Sequence, residues 1–329
     1  MRIVITGGSG FLGASLARAL LAAGDMAVAG WPPRPVEHIT LIDRVPAAAP
    51  LRDDPRVTVV VGDLAQVLQG PDTSHILEGT DVLYHLAAAV SADAEADFDL
   101  GLLVNVDGSR AVLQACRALG TAPVVVFASS LAVYGAWPGA PMPDVVTDTT
   151  LPTPRSSYGI QKFVVEQLVA DYTRKGFIDG RSLRLMTVSV RPGRPNGAAS
   201  SFLSGIVREP LAGERARCPV AADTRVAVSS PERTIQGLLL AAQTSAQVWG
   251  PPTALVMPAL ELSVGDMVAA LEQVAGADVA ALVDWVPDPA VGSIVAGWPA
   301  RFDPIRAHAL GLVADPDYET VIRAHLASR

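Results

Sequence analysis

The chain has 329 residues, of which 50% are hydrophobic and 18% charged, enough apolar material for one large core or two joined ones and too much for a disordered chain. Its formal net charge of -8 argues against a nucleic-acid binder, although a local cluster of arginines still leaves room for an anionic substrate. Cys116 and Cys218 are too few for a disulfide framework or a thiolate metal site, and the dispersed His38, His75, His85, His308 and His325 form no zinc pattern, so no metal is expected. The opening MRIVITGG lacks a signal-peptide pattern and no run of 18 apolar residues occurs, which leads us to expect a soluble cytoplasmic protein with no membrane partner.

Residues 2–6, RIVIT, read as a short buried strand that turns directly into GGSGFLG. Leu12, Leu16 and Leu20 then recur at helical spacing, with Gly24 as the stop. In this order of strand, glycine turn and helix, Gly7 takes the tight turn and Gly10 admits a diphosphate close to the backbone. Gly13 lets helix and sheet approach, and the free N–H groups of the helix start face the anion. No P-loop lysine follows, which argues against an ATPase.

The Pro-rich stretch from Trp31 to Glu37 reads as irregular, and ITLID at 39–43 as the next strand. Asp43, at its end, is the candidate for the adenosine ribose. An acid there bonds both hydroxyls and repels a 2′-phosphate, favouring NAD over NADP, while the adjacent Arg44 is where a phosphate would find a partner. VTVVVGDL at 57–64 follows, with Asp63 placed either to accept from the adenine amine or to cap the next helix. DVLYHLAAAV at 81–90 and PVVVFASS at 123–130 read as further strands, with a helix over VNVDGSRAVLQACRAL between them. His85, inside an apolar strand, is expected to be packed, and Ser91, just past it, either touches a substrate hydroxyl or caps a helix. This βα rhythm predicts a parallel sheet covered on both faces, with ligands at the carboxyl ends of its strands.

Tyr158 and Lys162, four apart in SSYGIQKFVVEQLVADY, share a helix face. A phenol is a weak base at its free pKa of about 10, and a neighbouring ammonium favours the phenolate. Tyr158 can then remove an alcohol proton as hydride leaves the same carbon, while Lys162 holds the nicotinamide ribose. Ser129 and Ser130 close the preceding strand, and either hydroxyl can fix the reacting oxygen.

TGGSGFLG at 6–13, LID at 41–43, GDL at 62–64, HLAA at 85–88, SSLAVYG at 129–135, YGIQK at 158–162 and VRPGRPN at 190–196 together resemble an extended short-chain dehydrogenase/reductase of the NAD-dependent epimerase/dehydratase family. The resemblance implies a Rossmann-type doubly wound parallel sheet with a smaller C-terminal substrate-binding lobe. It assigns the catalytic serine to Ser130, four residues before Tyr134 of VYG, and so a set of Ser130, Tyr158 and Lys162. It adds Ser9, Phe11, Leu12, Leu64, Leu86, Ala87 and Ala88 to the NAD contacts, matches Asn105 to the family's helix asparagine and Pro192 to its proline near the nicotinamide. LRLMTVSVRPGRPN departs from the pattern of many sugar-nucleotide members, and the run from Pro152 to Glu214 resembles a narrower group, the D-erythronate dehydrogenases. That likeness implies NAD-dependent oxidation of a four-carbon sugar acid at C2, with a small-molecule substrate and a homodimer built on the catalytic helix.

A sugar acid needs a cationic or amide anchor and polar partners for its hydroxyls. Residues 191–233 supply Arg191, Arg194, Asn196, Ser200, Ser201, Arg208, Arg217, Arg225 and Arg233, each arginine competing with a plain surface role. Ser91, Ser130, Tyr158, Asn196, Ser200, Arg225 and Arg233 are the expected substrate contacts; in an epimerase-like enzyme Arg225 would meet a phosphate. The expected division is a cofactor domain over 1–190 and a mainly substrate-binding lobe over 191–329, with 235–260 returning to the main sheet. Helices are expected over 235–243, 263–276 and 315–326, with strands over 254–258 and 281–290. The competing functions are a nucleotide-sugar 4-epimerase or dehydratase that keeps its NAD bound, and a non-enzymatic NAD(P)-sensing protein.

Overall fold

The computed structural model describes residues 1–70, 72–193 and 199–328. Its strands include β1 (Arg2–Thr6), β2 (Asp25–Val28), β3 (Trp31–Pro35), β4 (His38–Asp43), β5 (Val57–Val61), β6 (Thr80–His85), β7 (Val124–Ser130), β8 (Asp179–Leu185), β9 (Thr187–Val188), β10 (Arg225–Ser229), β11 (Leu255–Val256) and β12 (Leu260–Ser263). Seven of these form a fully parallel sheet in the order β11–β8–β7–β6–β1–β4–β5. The β1 side chains alternate between its faces, with Ile3 and Ile5 in one core and Val4 in another. β7 does the same, dividing Val124, Val126 and Ala128 from Val125 and Phe127. Near-continuous apolar strands are therefore what a doubly covered parallel sheet requires.

Helix α1 (Phe11–Ala23) contributes Leu16 and Leu20 to the first face, as the leucine spacing predicts. On the opposite face lie α2 (Leu64–Gln69), α3 (Gly108–Leu119) and α4 (Ser157–Arg174), whose Val165 and Val169 pack with Val112 and Cys116. One turn of wider winding, Leu102–Asp107, leads into α3 and carries Asn105 inward.

Of four further helices, α5 (Phe202–Arg208), α6 (Pro231–Gln243), α7 (Val264–Ala275) and α8 (Tyr318–Ala327), α6 packs Leu238 and Ala241 into the first core, and the other three join β9, β10 and β12 around a second. Leu203, Ile206, Val226, Val228, Met267, Leu271, Val321 and Ile322 fill it. The cap on α7 takes the form its sequence foretells. Ser263 accepts from the Asp266 N–H while the Asp266 carboxylate accepts from Ser263 N–H. After α6 the chain re-enters the main sheet through β11, paired with β8.

Four expectations need correction. The Pro-rich stretch is not irregular: β3 pairs antiparallel with β2, because proline's fixed backbone suits an exposed two-stranded edge where no inner ladder bond is demanded. β5 stops at Val61, since Asp63 turns the chain by capping α2. β6 stops at His85, and residues 86–90 leave the sheet before a short helix over Ser91–Ala96. Only Val283–Trp285 of the expected 281–290 strand forms, paired with Ala216–Cys218 before Pro287 and Pro289 intervene.

Candidate active site

The carboxyl ends of β1, β4, β5, β6 and β7 meet along one edge. At the first, Gly7 adopts φ +70°, and a side chain there would come within 2.8 Å of the Ala87 amide nitrogen. Its N–H is held by the Ile42 carbonyl at 2.8 Å. A Cβ on Gly13 would sit 2.2 Å from the Gly7 carbonyl, so helix and turn touch only because that atom is missing. A Cβ on Gly10 would meet only the Gly7 carbonyl, at 3.2 Å, and the buried Ser9 hydroxyl has no hydrogen-bond partner among the described residues. An open backbone at a helix start and an orphaned hydroxyl fit a diphosphate. Phe11 and Leu12 begin α1 directly behind.

Asp43 closes β4 and reaches back to this turn, where one carboxylate oxygen accepts from Ser9 N–H at 3.0 Å and the other from Val45 N–H at 3.3 Å. Asp63 accepts from Ala65 and Gln66 N–H and so performs the capping task, with Leu64 as the first helical residue. Leu86, Ala87 and Ala88 line the exit of β6, held to β1 by Leu86 N–H on the Thr6 carbonyl. Asn105 pins the next residues: its side chain accepts from Ala89 N–H at 2.8 Å and donates to the Ala89 carbonyl and to Gln161. Ser91 is not a cap, because Val90 occupies that position.

β7 ends on two serines that point to opposite sides of the sheet, as strand alternation dictates. Ser129 donates to Glu166 at 2.5 Å, and Glu166 is clasped by both arms of Arg184. Arg184 also donates to Tyr134 at 2.6 Å, which spends the VYG tyrosine on structure. Ser130 instead faces Tyr158, close enough for its hydroxyl to act on the phenol, and accepts from Ala132 N–H at 3.1 Å. Lys162, one turn further along α4, donates to the Ala128 carbonyl at 2.8 Å, with its ammonium 5.5 Å from the Tyr158 ring centre. Burial pushes the Lys162 pKa down to about 7, against the pull of Glu166. Burial likewise pushes Tyr158 up to about 12, opposed by the Ser130 hydroxyl and by the charge of Arg191.

Arg191 is a residue that sequence reasoning left among many. It follows β9, and its guanidinium donates to Ser200 at 3.1 Å. Ser200 thus joins the neighbourhood of Tyr158 through Arg191. Pro192 is exposed beside it, and Asn196 and Arg194 lie outside the described residues. Arg225 opens β10 and pairs with Glu261 at 2.8 Å, whereas Arg233 donates to Gln236 on α6. Among the described residues, neither has a contact with Ser130, Tyr158 or Lys162. No group of side chains among the described residues is arranged to hold a metal.

His85 is packed, with Nδ1 on the Thr6 hydroxyl at 2.7 Å and Nε2 on Ser109 at 2.8 Å. Burial, with help from the Lys162 charge, pushes its pKa down to about 3. Below the unfolded value of about 6.5 the unfolded chain therefore binds a proton that the folded chain refuses. Stability attributable to this group is complete above that pH and drains away as pH falls toward 3. Urea unfolding at pH 7 and pH 4.5 checks this: His85→Asn, which cannot titrate, should lose less stability between the two than the parent chain.

A family model for the NAD dependent epimerase/dehydratase family matches residues 3–226. The chain belongs to that family. It is 47% identical over 329 residues to the D-erythronate dehydrogenase of Cupriavidus necator, covering 99% of this chain and 98% of the relative. It is 40% identical over 323 residues to the D-erythronate dehydrogenase of Haemophilus influenzae, covering 98% of each. A solved structure from Agrobacterium tumefaciens, described as a nucleoside-diphosphate-sugar epimerase, superposes with a TM-score of 0.90 at 38% identity, covering 100% of this chain and 94% of that one. The family, the parallel sheet and the extended short-chain dehydrogenase/reductase type thus agree with the motif reading.

Proposed function

We propose that this chain is an NAD-dependent dehydrogenase that oxidises D-erythronate to 2-dehydro-D-erythronate. The observation that carries the chemistry is the placing of Tyr158 between the Ser130 hydroxyl and the buried Lys162, whose nitrogen lies 5.5 Å from the Tyr158 ring centre. The choice of substrate is supported by the two nearly full-length D-erythronate dehydrogenase relatives.

The Gly7–Gly13 turn and Ser9 would hold the diphosphate, Asp43 the adenosine ribose, Asp63 and Leu64 the adenine, and Leu86, Ala87 and Ala88 the span between. Bound NAD supplies the acceptor for hydride. Ser130 and Tyr158 bind the C2 hydroxyl, and Tyr158 takes its proton as the C2 hydride leaves, turning the alcohol into a ketone. Lys162 would hold the nicotinamide ribose, which Pro192 would border, and its protonated form would favour the phenolate. Asn105 steadies the loop that carries Ser91. Residues 1–190 make the cofactor domain and 191–329 mainly the substrate lobe, where Asn196, Ser200, Arg225 and Arg233 remain the proposed contacts.

A sugar-acid panel with NAD and NADP, followed by absorbance of the reduced cofactor, tests the reading. D-erythronate should release one NADH per molecule oxidised, with NADP a far poorer acceptor because Asp43 repels its phosphate. Turnover of a UDP-sugar without NADH release would instead favour the epimerase reading that the Agrobacterium tumefaciens structure supports.

The same reading includes a cytoplasmic homodimer. No described helix is long and apolar enough to cross a membrane. Phe98 and Leu103 are 60% and 54% exposed, and Ile160 and Val164 continue this apolar face along α4. A second copy that packs there would cover it. Val164→Glu should yield monomers in sedimentation, where the parent chain gives dimers.

A further inference from the structure

We propose that Arg191 is the seat of the substrate carboxylate, placed so that a 2-hydroxy acid presents its hydroxyl to Tyr158. The inference deepens the proposed function and rests on that reading. Three features carry it. The first is that the Arg191 backbone is fixed from both sides, its N–H held by the Ser204 hydroxyl at 3.0 Å and its carbonyl by Arg208 at 2.8 Å. A cation on a pinned backbone can orient a ligand, because little freedom is lost on binding.

The second feature is charge. Arg191 is half-buried, yet no carboxylate among the described residues pairs with it, and the sequence from 194 to 198 contains no acid. Among the described residues its one side-chain partner is neutral, Ser200, and the neighbouring Arg208 pairs with Glu209 at 2.6 Å. Two buried arginines elsewhere do have carboxylates, Glu166 for Arg184 and Asp179 for Arg181. A partly desolvated guanidinium without a counter-ion is completed by an anion, and its planar fork matches a carboxylate.

The third is distance to the chemistry. Arg191 is close enough for its charge to act on the Tyr158 phenol. In a 2-hydroxy acid the carboxylate and the reacting hydroxyl sit on adjacent carbons, so one group can rest on Arg191 while the other meets Tyr158 and Ser130. A 3-hydroxy acid separates them by one more carbon and cannot satisfy both with the same fit. Arg225, paired with Glu261 on β12, and Arg233, bonded to Gln236 and 4.0 Å from the Asp315 carboxylate, lack this neighbour.

Binding of oxalate in the presence of NAD, measured by calorimetry, tests the seat without relying on turnover. Arg191→Gln should weaken oxalate about 10- to 100-fold, the range expected for a charge-assisted bidentate contact. Arg191→Lys should recover part of it, and Arg174→Gln, a change to an exposed helix charge, none of the loss. In parallel, Arg191→Gln should raise the KM for D-erythronate more than it lowers kcat. Oxalate that binds Arg191→Gln as it binds the parent chain, or that fails to bind the parent chain, overturns the inference. If oxalate binds through Arg191 but no sugar acid is oxidised, the seat stands and the proposed substrate falls.

Discussion

Tyr158→Phe should bind NAD as the parent chain does and lose about 100- to 10,000-fold in kcat, the span general-base steps supply. The ring remains, so the packing of α4 is unchanged; only the hydroxyl that meets Ser130 is removed. In the ligand-free chain burial holds this phenol up to about 12, so the proton is retained at neutral pH. The charge of Arg191 acts to favour the phenolate, and the cationic ring of a bound cofactor would add to it. Activity of the parent chain should therefore rise with pH along a limb that disappears in Tyr158→Phe. A variant that retains turnover would remove Tyr158 from the role of base.

Glu166→Ala should cost about 3–5 kcal/mol of stability, because it strands a buried arginine. The Glu166 and Arg184 side chains are 1% and 7% exposed, and their paired contacts are 2.7 and 3.0 Å. The substitution leaves Arg184 with Tyr134 alone and deprives Ser129 of its acceptor. Urea unfolding gives the number. The double change Glu166→Leu with Arg184→Met should recover most of the loss, since removing both charges leaves none unpaired. Equal damage from single and double changes would mean that shape, not charge, sets the cost.

Much of the cofactor half was legible in the sequence because its signals are local. Strand, glycine turn and apolar helix follow one another within two dozen residues, and Gly10 and Gly13 answer to contacts inside that span, although the close neighbour of Gly7 is Ala87. The Ser263–Asp266 capping box is local too, and it forms as spelled. What stayed hidden depends on partners far along the chain. Nothing near Ser129 shows that its hydroxyl belongs to Glu166, 37 residues on, or that Tyr134 belongs to Arg184, 50 residues on. The β2–β3 pairing was obscured because proline reads as a breaker unless the strand is known to lie on an edge. Arg191 was one of nine polar residues and not among the expected substrate contacts until the fold set it near Tyr158. Gln161, buried against Asn105, gave no signal beyond its place before Lys162.

The most direct measurement follows the hydrogen itself. D-erythronate carrying deuterium at C2 is mixed with NAD, and both products are examined by mass spectrometry. The account predicts that the deuterium appears in the reduced cofactor, that the product is the 2-keto acid, and that turnover slows relative to the unlabelled acid if hydride transfer limits the rate. Reduced cofactor free of deuterium, or no reduced cofactor at all, would contradict it.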